Sequence, residues 1–111
     1  MAQRNQSQQI NSLLIAYSPN AIEELLEIER YLESKEFGTA KRFRDEFDAE
    51  LEPLLLFPES AAIIYKPNIR KRLMKRFRYK IFFAIENEYL LVLHVIHQHQ
   101  LEDFDELFGK N

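Results

Sequence analysis

Near Ala61 the spacing of apolar residues changes from three-and-four to two, and this change limits the chain to few architectures. Before it, Ile22, Leu25, Ile28 and Leu32 recur at the period of one buried helical face, as do Ala40, Phe43, Phe47, Leu51 and Leu54. After it, the odd positions run Ile69, Lys71, Leu73, Lys75, Phe77, Tyr79, Ile81, Phe83 and Ile85, while the even ones include Arg70, Arg72, Arg76, Arg78 and Lys80. Such alternation predicts strands with one buried and one basic face. Helices grouped apart from strands imply an α+β fold: an N-terminal strand, an antiparallel helical hairpin packed on a mostly antiparallel sheet of three to five strands, and a short C-terminal helix.

Local signals place the boundaries. Leu13 to Tyr17 reads as a short strand, and Ser18-Pro19 as a helix start, with Ser as N-cap and Pro at the first helical position. The two helices are expected over 19–34 and 39–57, with Gly38 ending the first and Thr39 capping the second. Lys41, Arg42 and Arg44 sit at the start of the second helix, where the dipole disfavours cations. Pro53 is expected to break or kink that helix, because proline lacks an N–H and crowds the carbonyl four residues back. Ala61 to Tyr65 is a strand candidate. The stretch from Ile69 to Ile85 is too long for one strand, so a turn is expected near Lys75 to Arg78. Glu86-Asn87-Glu88 forms the next turn, with Asn able to take a positive φ. Tyr89 to Ile96 is nearly continuous apolar sequence, as in a strand covered on both faces. Leu101, Phe104, Leu107 and Phe108 fit a terminal helix with Glu102 and Asp103 in its first turn and Gly109 after its end.

The 111 residues suit one domain, expected over 12–111, after a polar, Gln-rich segment at 1–11 that reads as a disordered tail. With no cysteine, disulfides and thiolate zinc sites are excluded. No apolar run approaches the ~20 residues of a membrane helix. A cytoplasmic location, no cofactor and no metal are the resulting expectations. Net charge is −3, yet eight of the 15 lysines and arginines lie between Lys66 and Lys80 with no acid among them.

That segment, Lys66, Arg70, Lys71, Arg72, Lys75, Arg76, Arg78 and Lys80, is the candidate surface for a target or a nucleic acid, since local fields steer polyanions more than net charge does. Arg72, Arg76 and Arg78 carry planar donor forks suited to phosphate. With Tyr79 and His97 they form the candidate catalytic set, His97 as acid or base and Tyr79 to stack a base or orient a proton. The plain alternatives are a solvated strand face or a surface neutralised by the chain's own acids, a packed or capping histidine, and a packed tyrosine. His94 and His97 fall on opposite faces of one strand and cannot share a metal ion.

The element order and its residues resemble the RelE/ParE superfamily of toxins from type II toxin–antitoxin systems. The match rests on Tyr17-Ser18-Pro19 with Ala21, Glu24-Leu25, Ile28 and Tyr31, then Ala40, Phe43 and Phe57-Pro58. It continues through Arg70, Arg72 and the run Arg76-Phe77-Arg78-Tyr79-Lys80-Ile81, and ends with Leu91 to His97. The resemblance covers roughly residues 13–97. It implies a growth-inhibiting, plasmid-stabilising toxin neutralised by a cognate antitoxin, alone as a homodimer or within a toxin–antitoxin hetero-oligomer. Two activities are known in the superfamily: ParE-like binding to a protein target, DNA gyrase, and RelE-like metal-independent cleavage of ribosome-bound mRNA. Relatives commonly carry arginines just after the final-strand histidine. Here Gln98, His99 and Gln100 follow His97, which favours the ParE-like reading, or a toxin fold that has lost toxicity, over an endoribonuclease.

Overall fold

A computed structural model describes residues 12–65 and 67–109. The expected disordered tail at 1–11 and the side chain of Lys66 lie outside the described residues. Strand β1 (Leu14–Tyr17) leads into α1 (Pro19–Lys35) and α2 (Thr39–Leu56), followed by a 3-10 turn (Pro58–Ser60). Four strands then follow, β2 (Ile63–Tyr65), β3 (Ile69–Leu73), β4 (Tyr79–Glu86) and β5 (Tyr89–His97), before α3 (Phe104–Phe108). The sheet order is β1-β5-β4-β3-β2, antiparallel throughout except for the parallel pair β1–β5. This is the expected α+β arrangement.

Ser18 starts α1 in two ways. Its Oγ accepts the Ala21 N–H at 3.0 Å and donates to the Leu93 carbonyl at 2.7 Å, so the cap also ties the helix to β5. The buried stripe of α1 is Ala21, Leu25 and Ile28; Ile22 lies about half exposed, a correction to the expected face. One residue along a helix is a rotation of ~100°, and Ala21 rather than Ile22 shares the azimuth of Leu25 and Ile28. At α2, Gly38 holds the N-cap position with φ of +87°, and Thr39 does not cap: its Oγ1 is buried without a hydrogen-bond partner. The free N–H groups of Gly38 and Ala40 instead donate to the two carboxylate oxygens of Glu33, at 2.9 and 3.1 Å, from the last turns of α1. These bonds hold the Glu33 carboxyl below its usual range. Two of the three cations at the start of α2 are paired, Lys41 with Asp45 and Arg44 with Glu29 and Asp48. Pro53 does not break α2. It lies within the last turn, where it forgoes one bond to the carbonyl four residues back, and Glu50, Leu51 and Leu54 anchor the turn in the core.

The hairpin covers one sheet face. Leu25, Ile28, Phe43, Phe47, Leu51 and Leu54 meet Ile81, Phe83, Leu90, Val92 and Val95 in the main core. The opposite face is smaller, with Ile69, Phe82 and Ile96 under Tyr65, Phe104 and Phe108. The continuous period-two reading from Ile69 to Ile85 needs one correction. Every residue of β3 pairs with a residue of opposite parity on β4, for example Arg72 with Ile81 and Lys71 with Phe82. Partners on antiparallel strands share a face. Arg70 and Arg72 therefore lie with Ile81 and Phe83 on the hairpin side, and Lys71 and Lys80 on the α3 side, so the basic segment is divided between both faces. The cause is the connection Met74–Arg78, whose five residues reverse parity. Asn87 turns the β4–β5 hairpin at φ of +56°, as expected. In β5 the register shifts opposite Phe82 and Phe83, leaving Leu93 as the extra residue of a bulge.

At the C-terminal end, α3 begins at Phe104 with Asp103 as N-cap, and Leu101 stands almost fully exposed outside it, contrary to the expected start. His94, on the α3 face of β5, bonds the helix to the sheet. One ring nitrogen meets Glu24 Oε2 at 2.9 Å and the other the Leu107 carbonyl at 2.7 Å. A carbonyl and a carboxylate are acceptors, so the arrangement favours the imidazolium form, in which both nitrogens donate. The hydrogen bond to Glu24 raises the His94 pKa, against the opposing effect of burial. A folded-state pKa raised above the unfolded one contributes stability that is complete below about pH 6.5 and lost as pH rises through the folded value. Amide-exchange protection of Leu107 and Gly109, corrected for intrinsic exchange, is therefore expected to fall as pH rises above about 6.5, and His94→Leu should abolish that dependence.

Candidate functional site

The residues singled out from sequence separate into two places. Tyr79 and His97 are paired across β4 and β5, with ring centroids 5.4 Å apart and nearly perpendicular planes. They line a groove of about 360 Å³ between α1 and the end of β5, with Glu24, Glu27, Ile28, Tyr31, Val95, Ile96 and Gln100. Arg72 and Arg76 line a different hollow of about 370 Å³ over α2, with Glu46, Ala49, Glu50, Pro53 and Lys75. The two hollows share no residue. Arg78 is exposed and, among the described residues, its side chain makes no ion pair.

His97 accepts the His99 N–H at its Nδ1, 3.1 Å away, while the Gln100 N–H donates to the His97 carbonyl. The imidazole thus closes the turn after β5 and presents Nε2 as its remaining polar atom. Tyr79 is 8% exposed and packs edge-on against Phe43, with centroids 5.5 Å apart. Burial raises its pKa, and nearby Tyr31 adds to the rise, so the phenol stays protonated at neutral pH. None of the residues lining this groove is a lysine or arginine.

The basic segment is largely compensated by the chain's own acids. Arg72 Nε donates to Glu50 Oε1 at 2.9 Å, and Glu50 Oε2 accepts the Lys75 backbone N–H at 2.9 Å. Arg76 bonds Glu46 at 3.0 Å from a mostly exposed position. Arg70 donates to the Ala61 carbonyl. On the other face the nearly buried Lys80 donates to Glu102 at 2.8 Å and to the Gln100 carbonyl at 3.0 Å, and Lys71 reaches the same carboxylate at 2.9 Å. These two ammonium groups, Lys80 foremost, hold the Glu102 carboxyl below its usual range. The cations of the described segment left without an acid are thereby reduced to Lys75, Arg78 and the half-buried Arg70, with the outer part of Arg76 also exposed. Neutralisation by the chain's own acids was one of the alternatives open from the sequence, but which acids do it was missed there. The available signal was Glu50 itself, a carboxylate beside Phe43, Phe47, Leu51 and Leu54 on a helical stripe that must be buried.

Among the described residues no group of three His, Asp or Glu side chains converges as a metal site, and no helix is long and apolar enough to cross a membrane. A family model described as the ParE toxin of type II toxin–antitoxin systems matches residues 15–102. No curated protein sequence matches the chain. Among solved structures, the chain is similar to one from the chromosomal ParDE toxin–antitoxin system of P. aeruginosa, with TM-score 0.67 and 13% identity over 79% of this chain and 98% of that one. It is also similar to a mutant of the E. coli toxin RelE in the free state, with TM-score 0.64 and 14% identity over 86% of this chain and 94% of that one. The isolated E. coli RelE toxin gives 0.58 at 16% identity over the same shares. These structural likenesses are of fold.

Glu50 is the acid on which the α2 hollow depends. Glu50→Ala leaves the Arg72 guanidinium and the Lys75 N–H without their acceptor, and is expected to cost about 3 kcal/mol. Glu50→Met combined with Arg72→Met should recover the part of that loss due to the stranded guanidinium, since replacing both partners of a buried pair by apolar groups is often neutral, while the Lys75 N–H still lacks its acceptor. Urea denaturation midpoints of the two variants check this.

Proposed function

This chain belongs to the ParE toxin family of type II toxin–antitoxin systems, and from that premise we propose that it acts by binding a protein target, DNA gyrase, and breaks no bond itself. Membership implies a cognate antitoxin that neutralises it. The observation that carries the choice of activity is the separation of the candidate catalytic residues. Cleaving RNA requires cations to stabilise the charge growing on the scissile phosphate, close to the groups that move protons. Here His97 and Tyr79 share a groove with Glu24 and Glu27 and with no cation. Arg72 and Arg76 are held by Glu50 and Glu46 over α2. Gln98 and Gln100 bring no charge after His97. Loss of one preorganised donor typically lowers a rate by about 10²–10³, and no lysine or arginine lines this groove to supply a charged one. The exposed ends of Lys75, Arg76 and Arg78 remain as a surface for an acidic partner, the antitoxin included. In the cytoplasm, binding of gyrase would arrest growth.

Purified protein is expected to inhibit DNA supercoiling by gyrase, to be relieved by the product of the neighbouring gene, and to leave mRNA on translating ribosomes uncut. Codon-specific mRNA cleavage that disappears in Arg72→Ala or His97→Ala would reverse the reading in favour of a ribonuclease. Absence of both activities would mark a toxin fold without toxicity.

A further inference from the structure

The groove beside His97 has the wrong charge for a polyanion and an unusual set of unoccupied polar groups. Of its two carboxylates, Glu24 is fully engaged: Oε1 accepts the Val95 N–H at 2.8 Å and Oε2 meets His94. Glu27, one turn along α1, is exposed and has no hydrogen bond or ion pair among the described residues. Tyr79 forms the floor. It is more than nine-tenths buried, its ring is wedged between Phe43 and His97, and its hydroxyl has no hydrogen-bond partner among the described residues. That hydroxyl is not sealed inside the protein either, so it opens to the groove. Tyr31 stands at the rim, more than half exposed, and Lys35 already places its ammonium 5.3 Å from the centre of this ring. The Tyr31 ring thus already takes a cation, which an incoming one would displace or join from the other side.

We propose that this groove receives an arginine side chain of a protein partner, with the guanidinium donating to Glu27 and to the Tyr79 hydroxyl and lying against Tyr31. The inference rests on the protein-binding reading above and names the chemistry the partner must present. A guanidinium supplies donors in a plane, which match an open carboxylate and a phenol oxygen, and its weakly hydrated face suits an aromatic wall. Its three-carbon stem is apolar, and Ile28, Val95 and Ile96 line the same groove. A phosphate or a nucleotide finds no lysine or arginine among the lining residues, with Lys35 only at the Tyr31 rim, and meets the carboxylate of Glu27.

The full-length chain, labelled with nitrogen-15, is titrated with Nα-acetyl-arginine amide, with its uncharged analogue Nα-acetyl-citrulline amide, and with adenosine monophosphate. The arginine probe is expected to shift the amides of Tyr79, Val95, His97 and Gln100 saturably. Citrulline should bind at least about tenfold more weakly, and Glu27→Gln should weaken the arginine probe by about the same factor, as expected for loss of a charge-assisted hydrogen bond. Glu23→Gln, on the same helix but outside the groove, should bind it as the parent does. A second variant, Tyr31→Leu, should weaken the arginine probe without changing the melting temperature. Equal binding of the arginine and citrulline probes, no shift at these amides, an unaffected Glu27→Gln, or tighter binding of adenosine monophosphate would each overturn the inference. These titrations use no gyrase, so they decide the groove even if supercoiling proves unaffected. Inhibition of supercoiling accompanied by failure of the titrations would overturn the groove alone.

Discussion

Strand β1 ends at Tyr17, opposite Val92, and leaves the remaining edge of β5 without a neighbouring strand. The carboxylate of Glu24 takes the place of that neighbour at Val95 and accepts its N–H. Much else depends on this substitution. It holds α1 alongside β5 with Leu25 and Ile28 turned into the core, and so shapes one wall of the groove at His97. The second oxygen of Glu24 reaches His94 on the other side of the sheet, where the imidazolium in turn holds the last turn of α3. One side chain thus connects the hairpin layer, the sheet edge and the C-terminal helix. A strand edge without such an acceptor would present unsatisfied N–H groups to any extended chain.

The second organising fact is that charge is balanced locally. The acids of α2 and of the segment before α3 meet cations of the basic segment, Glu50 taking Arg72, Glu46 taking Arg76 and Glu102 shared by Lys71 and Lys80, and the buried members are the most fully bonded. Glu50 is 6% exposed and uses both oxygens, while Lys80 is 5% exposed and donates to two acceptors. A buried charge with satisfied hydrogen bonds fixes geometry more than it adds stability, because desolvation offsets most of the attraction. The register of β3 on β4 and the seat of the C-terminal segment are specified in this way.

The helices, the five strands and the turn at Asn87 were legible because each depends on local spacing: the apolar stripe of α2, the Ser18-Pro19 start, the alternation within β4. Faces across a loop were not. Parity carried from β3 into β4 looked continuous along the chain, and only the register set by Met74–Arg78 reverses it. The same applies to the candidate site. Tyr79 and His97 could be expected near each other as residues of adjacent strands, but Glu50, Glu46 and Glu102 approach the basic segment from distant elements, and pairing over such separations leaves no periodic signature. Ile22 and Pro53 are smaller cases in which tertiary packing overrode a local rule.

The parallel pairing of β1 with β5 also constrains when the fold can close. The first strand leaves the ribosome with its partner still about 75 positions away in the sequence, and at roughly 5–20 residues per second the delay is several seconds. During that interval the hairpin can coil, yet Phe43, Phe47 and Leu51 have no sheet to cover them. Closure of so distant a pair is entropically costly and slows the search for the native arrangement. The sheet edge, the groove and the docked terminal helix consequently come into being together, late, and only after the last strand has been made.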